Sequence, residues 1–182
     1  EVIKGSANAL HEKLRDLATD AIVNGSESFK SICNTIVDAF DDLKIDLSIK
    51  KPRVGIVGEI LVKYMPLANN NLVEILESEG AEVVVPDLMD FLCYSVFNND
   101  YRHKYLGKSW TASAAAKLGV SALSSLRKAA TDALKRSARF EPPLPIEKVA
   151  EMAKPFLSLG NQYGEGWFLT GEMVELITGG TP

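Results

Sequence analysis

The segment from Arg53 to Asp87 constrains this chain most. Arg53-Val54-Gly55-Ile56-Val57-Gly58 reads as a buried strand, Asn69 to Glu79 as a helix, and Glu82-Val83-Val84-Val85-Pro86-Asp87 as a second strand. Strand, crossover helix and strand make a βαβ unit, the seed of a parallel sheet. Pro52 just ahead of the first strand suits the confinement of strand prolines to edges and starts. The second strand alternates little, as expected when both faces are covered. In an open α/β sheet the crevice lies outside the carboxyl ends of the strands. That rule makes Gly58-Glu59 and Pro86-Asp87 the candidate cleft. Between Glu59 and Ala68 runs an apolar connection too long for a tight turn, read here as a loop folded over the cleft.

The flanks are helical. Ile3, Ala7, Leu10, Leu14, Leu17, Ala18 and Ala21 recur at threes and fours, as do Phe29, Ile32, Cys33, Ile36, Val37 and Phe40. Asn24-Gly25-Ser26 between them offers a glycine stop and a serine cap, so residues 1–50 read as an antiparallel helical hairpin. After the second strand an aromatic-rich helix carrying Phe91, Leu92, Tyr94 and Phe97 is expected to break at Asn98-Asn99-Asp100. A long helical stretch from Ser109 to Arg139, interrupted or bent near Gly119, is followed by the extended connector Pro142-Pro143-Leu144-Pro145. Helices over Ile146–Leu157 and Glu165–Ile177 close the chain. The fold class is therefore α/β: helix-rich, with an N-terminal helical hairpin and, over 51–182, a partial Rossmann-like βαβ unit holding a short parallel sheet. Two strands fall short of the four or more common in sheets, and the last helix should lead into another strand, so a fragment truncated at its C-terminal end is expected.

Composition narrows the function classes. With 182 residues, 46% of them hydrophobic and 24% charged, the chain suits a globular protein with one ordinary core. No window approaches the roughly 20 apolar residues of a membrane span, and no signal-peptide pattern opens the chain. The expectation is a cytoplasmic protein without membrane contact. A net charge of −4 argues against nucleic acid as a partner. The charge is uneven, since Tyr101 to Phe140 holds nine Lys or Arg against the single acid Asp132. Cys33 and Cys93 stand far apart among apolar neighbours and lack metal-ligand spacing, so no metal site is expected. His11 and His103 have no partners spaced for a triad or a metal.

The candidate site residues are Glu59, Asp87, Gly164, Glu165 and Gly166. Glu59 and Asp87 put carboxylates at the cleft edge, where they serve acid–base chemistry or bind ribose hydroxyls if they converge. Asp87 equally suits a cap on the next helix. Gly160-Asn161-Gln162-Tyr163-Gly164-Glu165-Gly166-Trp167 sets three glycines ahead of a helix. That pattern either offers backbone N–H groups to an anion or simply caps the helix and lets Trp167 pack. It is neither a Walker A motif nor GxGxxG. The basic residues Arg127, Lys128, Lys135, Arg136 and Arg139 read as a solvated helix face or as a surface for phosphates or an acidic partner.

Two blocks carry a family resemblance. At Lys51 to Ile60, Pro66 to Leu72 and Glu77 to Asp87, and again at Gly160-Asn161-Gln162 and Gly164 to Met173, the chain resembles the large activase-related proteins linked to the 2-hydroxyacyl-CoA dehydratases of anaerobic bacteria. The likeness spans about the last two thirds of the chain, in a region similar to the dehydratase D-component. It implies a part in ATP-driven, low-potential electron transfer toward acyl-CoA chemistry, with a [4Fe-4S] cluster and ATP belonging to the parent protein and no cofactor in this fragment. The chain departs from the family in lacking the activator's phosphate-binding motifs, and neither Cys33 nor Cys93 matches a cluster position. A fragment inert on its own is the expectation, with acyl-CoA or a partner enzyme subunit as its ligand. The alternative is a non-catalytic docking module that uses the hairpin and the basic helix.

Overall fold

The computed structural model describes Glu1 to Thr181. In chain order it contains α1 (Ser6–Asn24), α2 (Phe29–Asp41), β1 (Arg53–Gly55), α3 (Ile60–Tyr64), α4 (Pro66–Asn69), α5 (Leu72–Ser78), β2 (Glu82–Val84), α6 (Leu88–Leu106), α7 (Trp110–Leu134), α8 (Ile146–Ala153), a 3-10 turn (Tyr163–Glu165) and α9 (Gly166–Thr178). The fold is helix-rich, with a short two-stranded parallel sheet and helices at its N-terminal side. β1 pairs with β2 in the register Arg53 to Glu82, Val54 to Val83 and Gly55 to Val84. The ladder extends through the Ile56 N–H, which donates to the Val84 carbonyl at 2.9 Å. Each strand is about half as long as its apolar run suggests.

The chain forms two compact units. The first comprises Glu1–Lys50 with Ser125–Pro142. Its hairpin turns where Gly25 takes the left-handed conformation at φ 65 and closes α1. Ser28, and not Ser26, caps α2, its hydroxyl accepting from the Ser31 N–H at 3.2 Å. Cys33 and Val37 pack on Ala133. The segment after α7 is tied to the end of α2. Asp41 accepts from the Ser137 hydroxyl at 2.7 Å, and Arg139 donates to the carbonyls of Phe40 and Leu43 at 2.9 and 2.6 Å. The Phe140 ring meets Phe40 edge to face at 6.4 Å.

The second unit comprises Lys51–Ser124 and Pro143–Thr181 within the described residues, and holds the βαβ unit. Its core gathers Cys93 and Tyr94 of α6, Val120 of α7, Ile146, Val149, Ala150 and Ala153 of α8, and Trp167 and Phe168 of α9. Tyr94 stacks on Phe168 with ring centroids 4.9 Å apart. α8 and α9 approach closely because position 171 is glycine; a Cβ there would stand 2.6 Å from Val149 Cγ1 and 2.7 Å from its carbonyl oxygen. No helix among the described residues is long and apolar enough to cross a membrane.

Three local expectations are corrected. The connection after β1 is two short helices, α3 and α4, rather than a loop. Asn70 and Asn71, both at φ 57, make the left-handed turn between α4 and α5, which Asn tolerates better than most residues. α6 does not break at Asn98-Asn99-Asp100 but runs on to Leu106. Asn98 is buried there and accepts from Trp167 Nε1 at 2.8 Å, a tertiary bond that outweighs its weak helix propensity. α7 passes through Gly119 as helix; that glycine gives Val96 room, since an added Cβ would lie 2.9 Å from Val96 Cγ1.

Candidate functional site

The carboxyl ends of β1 and β2 lead directly into helices whose first turns are capped by acids. Glu59 Oε2 accepts from the N–H groups of Leu61 and Val62 at 2.9 and 3.3 Å. Asp87 Oδ1 accepts from the Met89 N–H at 2.9 Å and heads α6. Both candidate carboxylates are thus helix caps.

α3 carries Lys63 inward. Its ammonium donates to both carboxylate oxygens of Glu172 on α9, at 2.7 and 3.0 Å. Lys63 is 5% exposed and Glu172 only 1%. The Lys63 ammonium also lies over the rings of Tyr64 and Phe168, 5.1 and 5.7 Å from their centroids. Burial pushes the Glu172 carboxyl up to about 7 against the pull of Lys63, and the charges of Asp90 and Glu175 add to the rise. Desolvation outweighs Coulomb attraction here, which is the usual limit on a buried ion pair. The neighbouring Tyr64 hydroxyl donates to the Pro86 carbonyl and so fastens α3 to the end of β2. Burial first, then the surrounding carboxylates, pushes that phenol up, so it stays protonated.

The glycine-rich block arrives at the same place. Glu165 stands at the head of α9 in the left-handed conformation, φ 60, which costs a residue with a Cβ about 1–2 kcal/mol. Its side chain is buried, at 7% exposure; Oε1 accepts from the Ile60 N–H at 3.4 Å, and Oε2 has no hydrogen-bond partner. Burial raises its carboxyl above the ordinary value, aided by the charge of Glu59 and opposed by the Ile60 N–H and Lys63. Gly164 supplies a φ of 64 and Gly166 a close approach to the Asn161 carbonyl, 3.1 Å from an added Cβ. The rest of the block is fixed to α6. The Tyr94 hydroxyl donates to the Gln162 carbonyl, and Arg102 Nε donates to Gln162 Oε1 at 2.7 Å.

Of the five residues singled out in the sequence, Glu59 and Glu165 meet around the first turn of α3, and Gly164 and Gly166 shape the turn that presents Glu165. Asp87 stands at the end of β2 as a cap. Within the block the Trp167 N–H is taken by the Asn161 carbonyl at 2.9 Å, and the Glu165 side chain makes no capping bond to α9. Lys63 and Glu172 escaped the sequence reading. The available signal was a charge set inside each apolar run, Ile60-Leu61-Val62-Lys63 and Phe168-Leu169-Thr170-Gly171-Glu172-Met173-Val174.

The basic residues are partly committed. Lys128 pairs with Asp132 at 2.7 Å, Lys135 with Asp132 at 3.8 Å, and Arg136 donates to Asn34 at 2.6 Å. The donor set does not suit an iron–sulfur cluster, which takes about four thiolates. The chain has two cysteines, one buried in each unit, and burial pushes the Cys33 thiol up, away from the thiolate a cluster requires. Among the described residues no group of three or more His, Cys, Asp or Glu is arranged to hold a metal. In comparisons with known proteins, no family model, curated protein or solved structure matches this chain.

Proposed function

We propose that the unit built on the βαβ element is an acyl-CoA-binding part of a dehydratase and activase-type system, one that works by ATP-driven, low-potential electron transfer. One observation carries this reading. The two sequence blocks on which the family resemblance rests are joined by Ile60 to Glu165 across 105 positions of the chain, and Lys63, which lies between the matching stretches Lys51 to Ile60 and Pro66 to Leu72, pairs with Glu172 of the second block across 109. They meet at the carboxyl ends of parallel strands, the usual ligand position of an α/β unit. A buried carboxyl held above its ordinary value is suited to donate a hydrogen bond to a carbonyl such as that of a thioester, or to accept one from an amide or hydroxyl. The cluster and ATP of such a system are assigned to residues other than these.

Calorimetric titration of the chain with an acyl-CoA tests the reading. Saturable binding that weakens in Glu165→Gln supports it, and the absence of saturable heat at millimolar acyl-CoA refutes it. A docking role is the second reading, favoured by the tip of the first unit, where Ile22 is 82% and Phe29 60% exposed. Substituting both by Ser abolishes partner capture if that surface is used and leaves acyl-CoA binding intact.

A further inference from the structure

We propose that the crease beside Trp110 is a binding site for a purine nucleotide, its base stacked on the indole, its phosphates met by Lys104 and Lys117, and a ribose hydroxyl or base N–H accepted by the His103 ring. The crease is separate from the strand-end site and rests on none of the reading given for it. It lies where α6 ends and α7 begins, encloses about 650 Å3 and is lined by Asp100, His103, Lys104, Trp110, Ser113, Ala114 and Lys117. That volume falls within the range of roughly 300–1,000 Å3 common to small-molecule sites.

Three features define what fits. Trp110 is 70% exposed, whereas the other tryptophan of the chain, Trp167, is fully buried. The indole therefore presents an aromatic face that no packing role explains, and such a face takes a planar base. Around it the charge is positive in an otherwise acidic protein. Between Asp100 and Lys117 the chain has Arg102, Lys104, Lys108 and Lys117 against the single carboxylate of Asp100. Arg102 is committed to Gln162, and Lys108 donates to Asn99 at 2.6 Å, so the cations lining the crease are Lys104, whose ammonium lies over the Tyr105 ring at 5.2 Å, and Lys117, beside Asp100. Finally, the polar groups are held in order. His103 Nδ1 lies 2.6 Å from the Lys108 carbonyl, which can only accept, so Nδ1 carries the proton and Nε2 is left as an acceptor for a ribose hydroxyl or a base N–H. Asp100 is held ionised chiefly by the Ser113 hydroxyl at 2.7 Å and pairs with Lys117 at 3.5 Å, leaving a carboxylate next to the cations as an acceptor for ribose hydroxyls. An aromatic platform, two ammonium groups and one carboxylate match a base, a phosphate chain and a sugar.

The test is titration of the full chain with ADP, read by calorimetry and by tryptophan emission, with adenosine, orthophosphate and free coenzyme A as parallel arms. ADP binding that quenches the exposed tryptophan is expected. Trp110→Ala weakens it about tenfold or more, as loss of a stacking contact does. Lys104→Ala/Lys117→Ala weakens ADP by a similar factor and leaves adenosine unchanged. Binding of ADP or of coenzyme A sorts free nucleotides from the nucleotide end of a coenzyme, and either supports the site. Coenzyme A bound here is insensitive to Glu165→Gln, which separates this outcome from the strand-end reading. No heat at millimolar ADP, orthophosphate binding as tightly as ADP, or ADP affinity unchanged in both variants overturns the proposal.

Discussion

Replacing Lys63 by Met leaves the Glu172 carboxylate, 1% exposed, without its cation. Breaking a buried pair from one side costs about 3–5 kcal/mol, because the surviving charge has neither water nor partner. With a urea slope of about 1–3 kcal/mol/M, the midpoint falls by roughly 1 M or more. The loss depends on pH, and its sign follows from Glu172. That carboxyl is raised from 4.5 to about 7 in the folded chain, so between those values the folded state holds a proton that the unfolded state has released. The contribution of Glu172 to stability is therefore full below about 4.5 and is lost as pH rises through about 7. Lys63→Met raises the carboxyl further, so its penalty is greatest at alkaline pH and shrinks as Glu172 takes up a proton. The double variant Lys63→Met/Glu172→Leu recovers most of the loss, since an apolar pair of similar volume replaces a buried ion pair at little cost. Urea unfolding is followed through the emission of Trp167, which is fully buried in the same unit, in a Trp110→Phe background. A single-variant midpoint within about 0.3 M of the parent at alkaline pH, well below the shift expected from that slope, refutes the reasoning. So does a double variant as unstable as the single one.

Four further substitutions have expected outcomes. Glu165→Gly removes a left-handed glutamate, φ 60, together with its unpartnered buried oxygen, so thermal unfolding should show a gain of about 1 kcal/mol or more. The same change should abolish acyl-CoA binding by calorimetry. Gly171→Ala drives a Cβ to 2.7 Å from the Val149 carbonyl and should cost about 1–3 kcal/mol in urea unfolding. Gly55→Ala meets only the flexible tip of Leu176, at 2.7 Å, and should cost clearly less. Asn98→Leu deprives the buried Trp167 indole N–H of its acceptor, and chemical denaturation should register a loss of about 1–3 kcal/mol.

The parallel pair was legible because Val54, Ile56 and Val83 to Val85 are β-branched runs bounded by glycine and proline, and such runs have few other uses. The helix stop at Gly25 was legible for the same local reason, since the left-handed φ it takes is a property of a single residue. What escaped depends on partners remote in sequence. Asn98 stays helical because Trp167 bonds it, and Ser137 and Arg139 return to α2 through Asp41, Phe40 and Leu43. At the site, a cap was one of the two uses the sequence allowed Asp87 at its strand end, whereas the capping role of Glu59 is visible only in the first turn of α3. Lys63 and Glu172 carry no local signal for each other, since nothing in either helix shows that the other's charge is present.

The 109 positions that separate Lys63 from Glu172 also order events in time. At a synthesis rate of roughly 5–20 residues per second, α3 waits about 5–20 s on the ribosome before its counter-ion exists. During that interval Lys63 has no Glu172 to bury against. α8 and α9 can pair locally as soon as both are made, and their arrival delivers Glu172 already positioned. The ion pair is thus a late latch, and any nascent chain that stops short of α9 remains soft around Lys63.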